Sequence, residues 1–526
     1  MITKEIKQAL SQYFADMQNS VTLVLQTGEH PKRAEQAGFL ADLAGISDNV
    51  AFEERDAGLR SPISFSLEVD GAATGVVFSG IPGGHEFNSL ILAILHASGK
   101  DMKLDEGVRN MIRQVSKPLN FEVFISLSCH NCPDVVQALN QFALLNPNIS
   151  SEMLDGGLFK EIIDERDIQG VPTVFLNGEL FANGKVDAAQ LLNKLIEHEP
   201  EMIQTSDQPS MPLQDVTVIG GGPAGVAAAI YSARKGLKVT LIAERMGGQV
   251  KDTMGIENLI SVPKTTGPEL SGAMEQHLGD YDVTVKEHLR VTSVEQGNVK
   301  TVTLSSGEIV QSRTLIVATG ARWRELGVPG EKENIGNGVA YCPHCDGPFF
   351  KGRDVAVIGG GNSGIEAALD LAGIVHSVTV FEYLPQLKAD QVLVDQAIAR
   401  DNITILTNVA TRQIIAEHDK VVAVEYEDRA TGEVTQEELA GVFIQIGLVP
   451  NSQVVADLVE TKPWGEIIIN EKCQTSAPGI YACGDVTTVP YKQIVVAMGE
   501  GAKASLAAFE YLLTHEVEPE AMAEVA

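Results

Sequence analysis

The stretch Val216-Thr217-Val218-Ile219-Gly220-Gly221-Gly222-Pro223-Ala224-Gly225 decides the fold. An apolar run reads as a buried strand, the glycines as a turn, and the Ala-rich segment after them as a helix. In this G-x-G-x-x-G pattern Gly220 permits the tight turn and Gly222 lets a pyrophosphate approach the backbone. Gly225 lets helix and strand pack closely. Free N–H groups and the helix dipole beginning at Pro223 and Ala224 then hold phosphates. The next apolar run, Val239–Ala243, ends in Glu244, 24 residues after Gly220, a carboxylate placed to accept from a ribose diol.

The same plan recurs about 140 residues on. Val355–Ile358 leads into Gly359-Gly360-Gly361-Asn362-Ser363-Gly364, and Val378–Phe381 into Glu382, 23 residues after Gly359. Gly359, Gly361 and Gly364 repeat the three glycine roles, with Asn362 and Ser363 opening the helix. Two complete dinucleotide sites in one chain imply a flavin and a nicotinamide coenzyme. A carboxylate at Glu382 repels a 2′-phosphate, and the sequence around it holds no Arg, Lys388 being the nearest base, so NADH is favoured over NADPH.

Four of the six cysteines form two Cys-x-x-Cys pairs. Cys342-Pro343-His344-Cys345 ends 14 residues before Gly359 and belongs to the second nucleotide domain. Cys129-His130-Asn131-Cys132-Pro133 follows the apolar strand Phe121–Leu127 and opens a helix. A helix N-terminus stabilises thiolate, so Cys129 is expected to be the nucleophile and Cys132 the resolving sulfur. The alternative is one zinc site built from both pairs. The 209 residues and long linker between them disfavour it, and no metal is expected. Cys473 and Cys483 have no partner at short spacing and read as buried.

Residues 1–197 carry one supersecondary plan twice, β-α-β-(α)-β-β-α, each copy with a proline opening its third strand, Pro62 and Pro172. A cis bond before Pro172 would expose a backbone edge beside Cys129. The first copy has Gln26-Thr27-Gly28-Glu29 where cysteines would stand, so it is expected to serve as scaffold or docking surface. Residues 198–213, with Pro200, Pro209 and Pro212, read as an exposed linker, and the acidic, Ala-rich tail from Glu516 as frayed.

At 526 residues the chain should fold as three to five domains. A net charge of −31 excludes nucleic-acid backbones and anionic membrane surfaces as partners. No run of about 18 apolar residues spans a membrane, and Met1–Lys7 reads as an amphipathic helix rather than a signal peptide, so a cytoplasmic location is expected.

Gly220–Gly225, Gly247-Gly248-Gln249, Ala318-Thr319-Gly320, the Cys342/Cys345 pair and Tyr481-Ala482-Cys483-Gly484-Asp485 resemble the low-molecular-weight thioredoxin reductases. With the tandem N-terminus bearing Ser128-Cys129-His130-Asn131-Cys132-Pro133, the whole chain resembles the flavoprotein reductases of bacterial peroxiredoxins. The resemblance implies an α/β protein with two tandem thioredoxin-like folds, 1–101 without and 102–197 with the redox pair. A thioredoxin-reductase-type flavoprotein with two Rossmann-like domains follows. FAD would occupy 214–328 and 448–526, with an NADH domain inserted at 329–447. Gly248, Gln249 and Asn258 would line the flavin, Gly484 and Asp485 would hold its ribityl-pyrophosphate region, Gln493 and Ile494 would present a helix N-terminus to the ring, and Gly320 would also bind FAD. Cys483 stands where the family often has a small apolar residue.

The implied relay runs from NADH to FAD, to Cys342/Cys345, to Cys129/Cys132, and to the disulfide of a separate peroxiredoxin. Cys345 faces the flavin, Cys342 attacks outward, and Asp346 shuttles a proton. The resemblance also implies a homodimer through the reductase part. Thioredoxins place a buried Asp six residues before the first cysteine; here Val123 stands there, and Glu86 of the first copy is a candidate substitute. Rival readings are an NADPH-dependent reductase of another small dithiol protein, a protein-docking adaptor, and a peroxide-forming NADH oxidase.

Overall fold

The computed structural model describes residues 2–515 apart from 103, 130, 167, 169, 185, 201–210, 254 and 418–419; the side chains of 344 and 345 also lie outside it. The expected linker over 198–213 therefore falls largely, and the acidic tail wholly, outside the described residues. The chain forms two compact units, one mainly of residues before 201 and the other mainly of residues after 210.

In the first unit the doubled plan is realised as strands β1 (Val21–Gln26), β2 (Val50–Arg55), β3 (Ser64–Val69) and β4 (Ala72–Ser79), then β5 (Leu119–Ile125), β6 (Ile149–Asp155), β7 (Thr173–Leu176) and β8 (Glu179–Asn183). Each copy has the same strand order, β2-β1-β3-β4 and β6-β5-β7-β8. Helix Lys160–Glu165 joins β6 to β7, whereas the first copy has no helix between β2 and β3.

The copies are not separate sheets. β4 pairs parallel with β6, Val76–Ser79 against Ser151–Leu154, and makes one eight-stranded sheet. The register carries an apolar row across both copies, through Leu25, Phe65, Phe78, Met153, Val123 and Val174. All six are buried, and burial of a side chain of this kind contributes about 1.5–3 kcal/mol. Helix Cys132–Leu145 packs on β4 as well as on β5 and β6, so it spans the seam.

The second unit holds two parallel-centred sheets. In the first, strand Gln214–Ile219 lies between Val239–Ala243 and Ile309–Val317, and Ile480–Ala482 returns to pair with Ile309–Val317. In the second, Asp354–Ile358 lies between Ser377–Glu382 and Gly441–Ile444. The chain leaves the first sheet through Ala321–Trp323 and re-enters through Leu448–Pro450, and these segments pair antiparallel. Thr319 Oγ1 donates to Asn451 O at 2.6 Å and Asn451 Nδ2 donates to Thr319 O at 3.0 Å, clamping the base of the crossing. The long helix Ile494–Thr514 lies so close to helix Pro223–Ala233 that a Cβ on Gly501 would meet Ala224 O at 2.1 Å. No helix among the described residues is long and apolar enough to cross a membrane.

Candidate redox and dinucleotide sites

Cys132 is the first residue of helix Cys132–Leu145, with Pro133 behind it. Proline is tolerated in a first turn because its missing N–H has no helical acceptor there. Cys129 and Cys132 form a disulfide with Cα atoms 5.5 Å apart. Cys132 is fully buried while Cys129 is half-exposed, the asymmetry that separates a resolving sulfur from an attacking one. The Cys132 N–H donates to Cys129 Sγ at 3.1 Å, a contact that would stabilise a thiolate. The Val171–Pro172 bond is cis, and Cys129 Sγ lies 3.8 Å from Val171 O. In the first copy Gly28, within the segment expected where cysteines would stand, lies against Pro62: a Cβ there would come within 2.7 Å of it.

Glu86 begins helix Glu86–Ala97, which packs beside helix Cys132–Leu145 through Gln137 Nε2 donating to Ser89 Oγ at 3.2 Å. Glu86 is 0% exposed, and neither carboxylate oxygen has a hydrogen-bond partner of good geometry. Burial pushes its carboxyl up to about 7; Asp134, two residues beyond Cys132, adds to this and Ser89 offsets part of it.

In the first dinucleotide cradle Gly220 has φ +118°, and a Cβ there would lie 2.2 Å from Ala318 O. A Cβ on Gly225 would lie 1.8 Å from Gly220 O, whereas Gly222, the N-cap of helix Pro223–Ala233, faces open space. That empty space at a helix N-terminus, walled by backbone, fits a dinucleotide pyrophosphate. Glu244 follows its strand and is exposed. With its O and N assigned to suit their neighbours, the Gln249 amide donates to Ala321 O at 2.6 Å and accepts from the Trp323 indole. Asn258 Nδ2 donates to Gln493 Oε1 at 3.2 Å, bringing two expected flavin-lining residues together at the start of helix Ile494–Thr514. Gly320 and Gly484 both have positive φ, and a Cβ on Gly484 would crowd Ala224. Burial pushes the Asp485 carboxyl up and Lys492 pulls it back. Cys473 and Cys483 are buried and free. Burial raises both thiols, Cys473 to about 12, which leaves them unreactive hydrophobes.

The second cradle repeats the geometry. A Cβ on Gly364 would lie 1.9 Å from Gly359 O, and Gly361 faces open space at the N-cap of helix Asn362–Ala372. Glu382 is buried, and its carboxylate accepts from Gly360 N and from Leu384 N at 2.7 Å. Each oxygen keeps a second lone pair for a ribose hydroxyl. Asn362 and Asp390 hydrogen-bond reciprocally, at 3.0 and 2.7 Å, so that side chain fastens the neighbouring loop. Ser363 is exposed on the first turn. One cation missed by the sequence is present: Arg429, 47 residues after Glu382, lies over the ring of Tyr383. No local pattern signals it, because a hairpin turn brings it there.

Cys342 is in a disulfide; its expected pairing with Cys345 involves a side chain outside the described residues. Asp346 N donates to Cys342 O at 2.9 Å. Burial pushes the Asp346 carboxyl up to about 6, against the backbone hydrogen bond at Cys342, which lowers it. The segment before Cys342 is fastened by residues the sequence did not single out. Tyr341 OH donates to buried Glu331 at 2.7 Å, Gln445 Nε2 donates to Tyr341 O at 2.7 Å, and Trp323 stacks on the Tyr341 ring with centroids 6.0 Å apart.

The family model described as pyridine nucleotide-disulphide oxidoreductase matches residues 214–501, and one described as thioredoxin domain matches 119–197. The alkyl hydroperoxide reductase F protein of Escherichia coli is 46% identical over 518 residues, covering 98% of this chain and 99% of that protein. A Bacillus subtilis protein named NADH dehydrogenase is 46% identical over 513 residues, with 98% and 99% covered. Among solved structures, thioredoxin reductase from Streptococcus pyogenes aligns with a TM-score of 0.55 at 38% identity, covering 57% of this chain and 99% of its own.

Proposed function

The chain belongs to the pyridine nucleotide-disulphide oxidoreductase family, in the branch of the alkyl hydroperoxide reductase F proteins, and on that premise we propose that it is an NADH-dependent reductase of a peroxiredoxin. It is a flavoprotein disulfide reductase, with net reaction NADH plus H⁺ plus peroxiredoxin disulfide giving NAD⁺ and two peroxiredoxin thiols. The observation that carries this reading is the presence, in one chain, of two open dinucleotide cradles and two separate cysteine centres, Cys342 beside the second cradle and Cys129–Cys132 in the other unit. FAD fits the first cradle through Gly220, Gly222, Gly225, Glu244 and Asp485, and when bound supplies two-electron transfer from nicotinamide to the Cys342 disulfide.

The chain's own residues do the rest. Asp346, poised near 6, gives and takes the proton as the Cys342/Cys345 thiolates form and react. The Cys342 thiolate attacks Cys129 Sγ; the Cys129–Cys132 bond breaks, and Cys132 leaves as a thiolate. Glu86, buried and titrating near 7, serves as the source of its proton. A second attack by Cys345 on the mixed disulfide frees Cys129. Cys129, as the more exposed sulfur, then attacks the peroxiredoxin disulfide, and Cys132 resolves the product. The 198–213 stretch serves as the tether on which the first unit moves between donor and acceptor. The resemblance to the alkyl hydroperoxide reductase F proteins extends the proposal to a homodimer through the reductase part. The reducing environment that the relay needs supports a cytoplasmic location.

Anaerobic titration of the flavin-loaded protein with NADH tests the relay. Two dithiol centres and one flavin should take up about three electron pairs. If Cys129 and Cys132 stay oxidised under excess NADH, the relay is wrong. Direct NADH oxidation is a second reading, favoured by the name of the Bacillus subtilis relative. A Cys129→Ser variant separates the two: it should lose peroxiredoxin reduction and keep reduction of small artificial acceptors.

A further inference from the structure

We infer that Tyr383 and Arg429 together form the adenine wall of the coenzyme site, and that Arg429 is the latent 2′-phosphate partner that Glu382 holds out of use. This rests on reading the second cradle as a nicotinamide-coenzyme site. In open α/β sheets the nucleotide lies beyond the carboxyl ends of the strands. Three segments meet there. Tyr383 directly follows Glu382, the last residue of strand Ser377–Glu382. Asn408, just past strand Ile403–Thr407, donates its N–H to Leu384 O at 2.8 Å. Arg429, in the turn after strand Lys420–Asp428, donates its backbone N–H to Asn408 O at 3.0 Å.

The guanidinium completes the assembly. Its NH1 donates to Tyr383 O at 2.8 Å and to Asn408 Oδ1 at 3.3 Å, and its Cζ lies 3.8 Å from the centre of the Tyr383 ring. Tyr383 is nonetheless 57% exposed. A large ring fixed by a cation on one face and left open beside a ribose-binding carboxylate is a stacking platform for a purine. The same guanidinium brings a positive charge to the adenosine end of the site. There a 2′-phosphate would meet Arg429 as a partner but Glu382 as a like charge. Coenzyme choice is then set by the balance of these two side chains.

Calorimetry on the flavin-loaded protein with ADP-ribose and with 2′-phospho-ADP-ribose tests this without turnover. The parent should bind ADP-ribose and discriminate against the phosphorylated probe. Tyr383→Ala should weaken ADP-ribose by about 10- to 100-fold, the range for loss of one base–aromatic stack, while Tyr383→Phe should bind as the parent does. Glu382→Gln should gain at least about tenfold for the phosphorylated probe, and adding Arg429→Ala should abolish the gain. ADP-ribose binding within twofold of the parent in Tyr383→Ala, or a gain independent of Arg429, would overturn the inference and leave the coenzyme site standing. If the parent binds neither probe, the coenzyme reading falls and the inference with it.

Discussion

Replacing Glu86 with Gln gives the proposed proton donor a number. In an unfolded chain this carboxyl titrates near 4.5; in the folded protein burial, with Asp134 adding, holds it near 7. Below about pH 4.5 it is protonated in both states and burial costs no charge. Between about pH 4.5 and 7 the unfolded chain gives up this proton while the folded protein keeps it, so stability is lost across that window and levels off once the buried group itself ionises. At about 1.4 kcal/mol for each tenfold change in the proton equilibrium, the difference amounts to roughly 3 kcal/mol. Glu86→Gln keeps the shape and stays neutral, so the first unit should become more stable above pH 7 by up to that amount, with little change at pH 5. Urea unfolding of the full-length protein at the two pH values, read by pulse proteolysis of the first unit, measures this. Stopped-flow reduction of Cys129–Cys132 supplies the functional half: the parent rate should change slope near pH 7, and the variant should be slower and lack the break. A variant whose stability and rate follow pH as the parent's do would refute the reasoning.

Asp346→Asn should remove a break near pH 6 from the reduction of the Cys342 disulfide and slow that step by about 10²- to 10⁴-fold, as seen by anaerobic stopped-flow absorbance. Gly225→Ala forces a Cβ to within 1.8 Å of Gly220 O, contact with backbone that cannot swing aside; the purified protein should have lost most of its visible flavin absorbance. Deleting part of 201–210 should slow peroxiredoxin reduction several-fold and spare reduction of ferricyanide; equal loss in both assays would argue against a tethered swing.

Local chemistry made most of the architecture legible. The glycines at 220–225 and 359–364 and the apolar runs ahead of each carry their meaning in adjacent residues, and the structure realises them as strand, turn and helix. The Cys129 pair was legible because a strand, two cysteines and Pro133 stand in sequence. The seam between β4 and β6 was not: parallel pairing over a separation of about 75 residues leaves no periodicity, and both strands look complete alone. Arg429 was missed for a like reason, since a turn 46 residues further along the chain brings it to Tyr383. Asn362 was expected in the coenzyme cradle because of its place in the motif; the hydrogen bonds between its side chain and Asp390, which the motif does not include, left no mark in the sequence.

The continuous sheet also limits how the molecule can be cut. Severing the chain at the border of the two copies would leave strand Ile149–Asp155 with a bare row of N–H and C=O groups, flanked by Met153 and Leu154. Such a margin recruits strands from other molecules. The cysteine-bearing half is thus a poor candidate for isolation as a soluble reagent. Its cysteine-free twin acts as a permanent guard against aggregation.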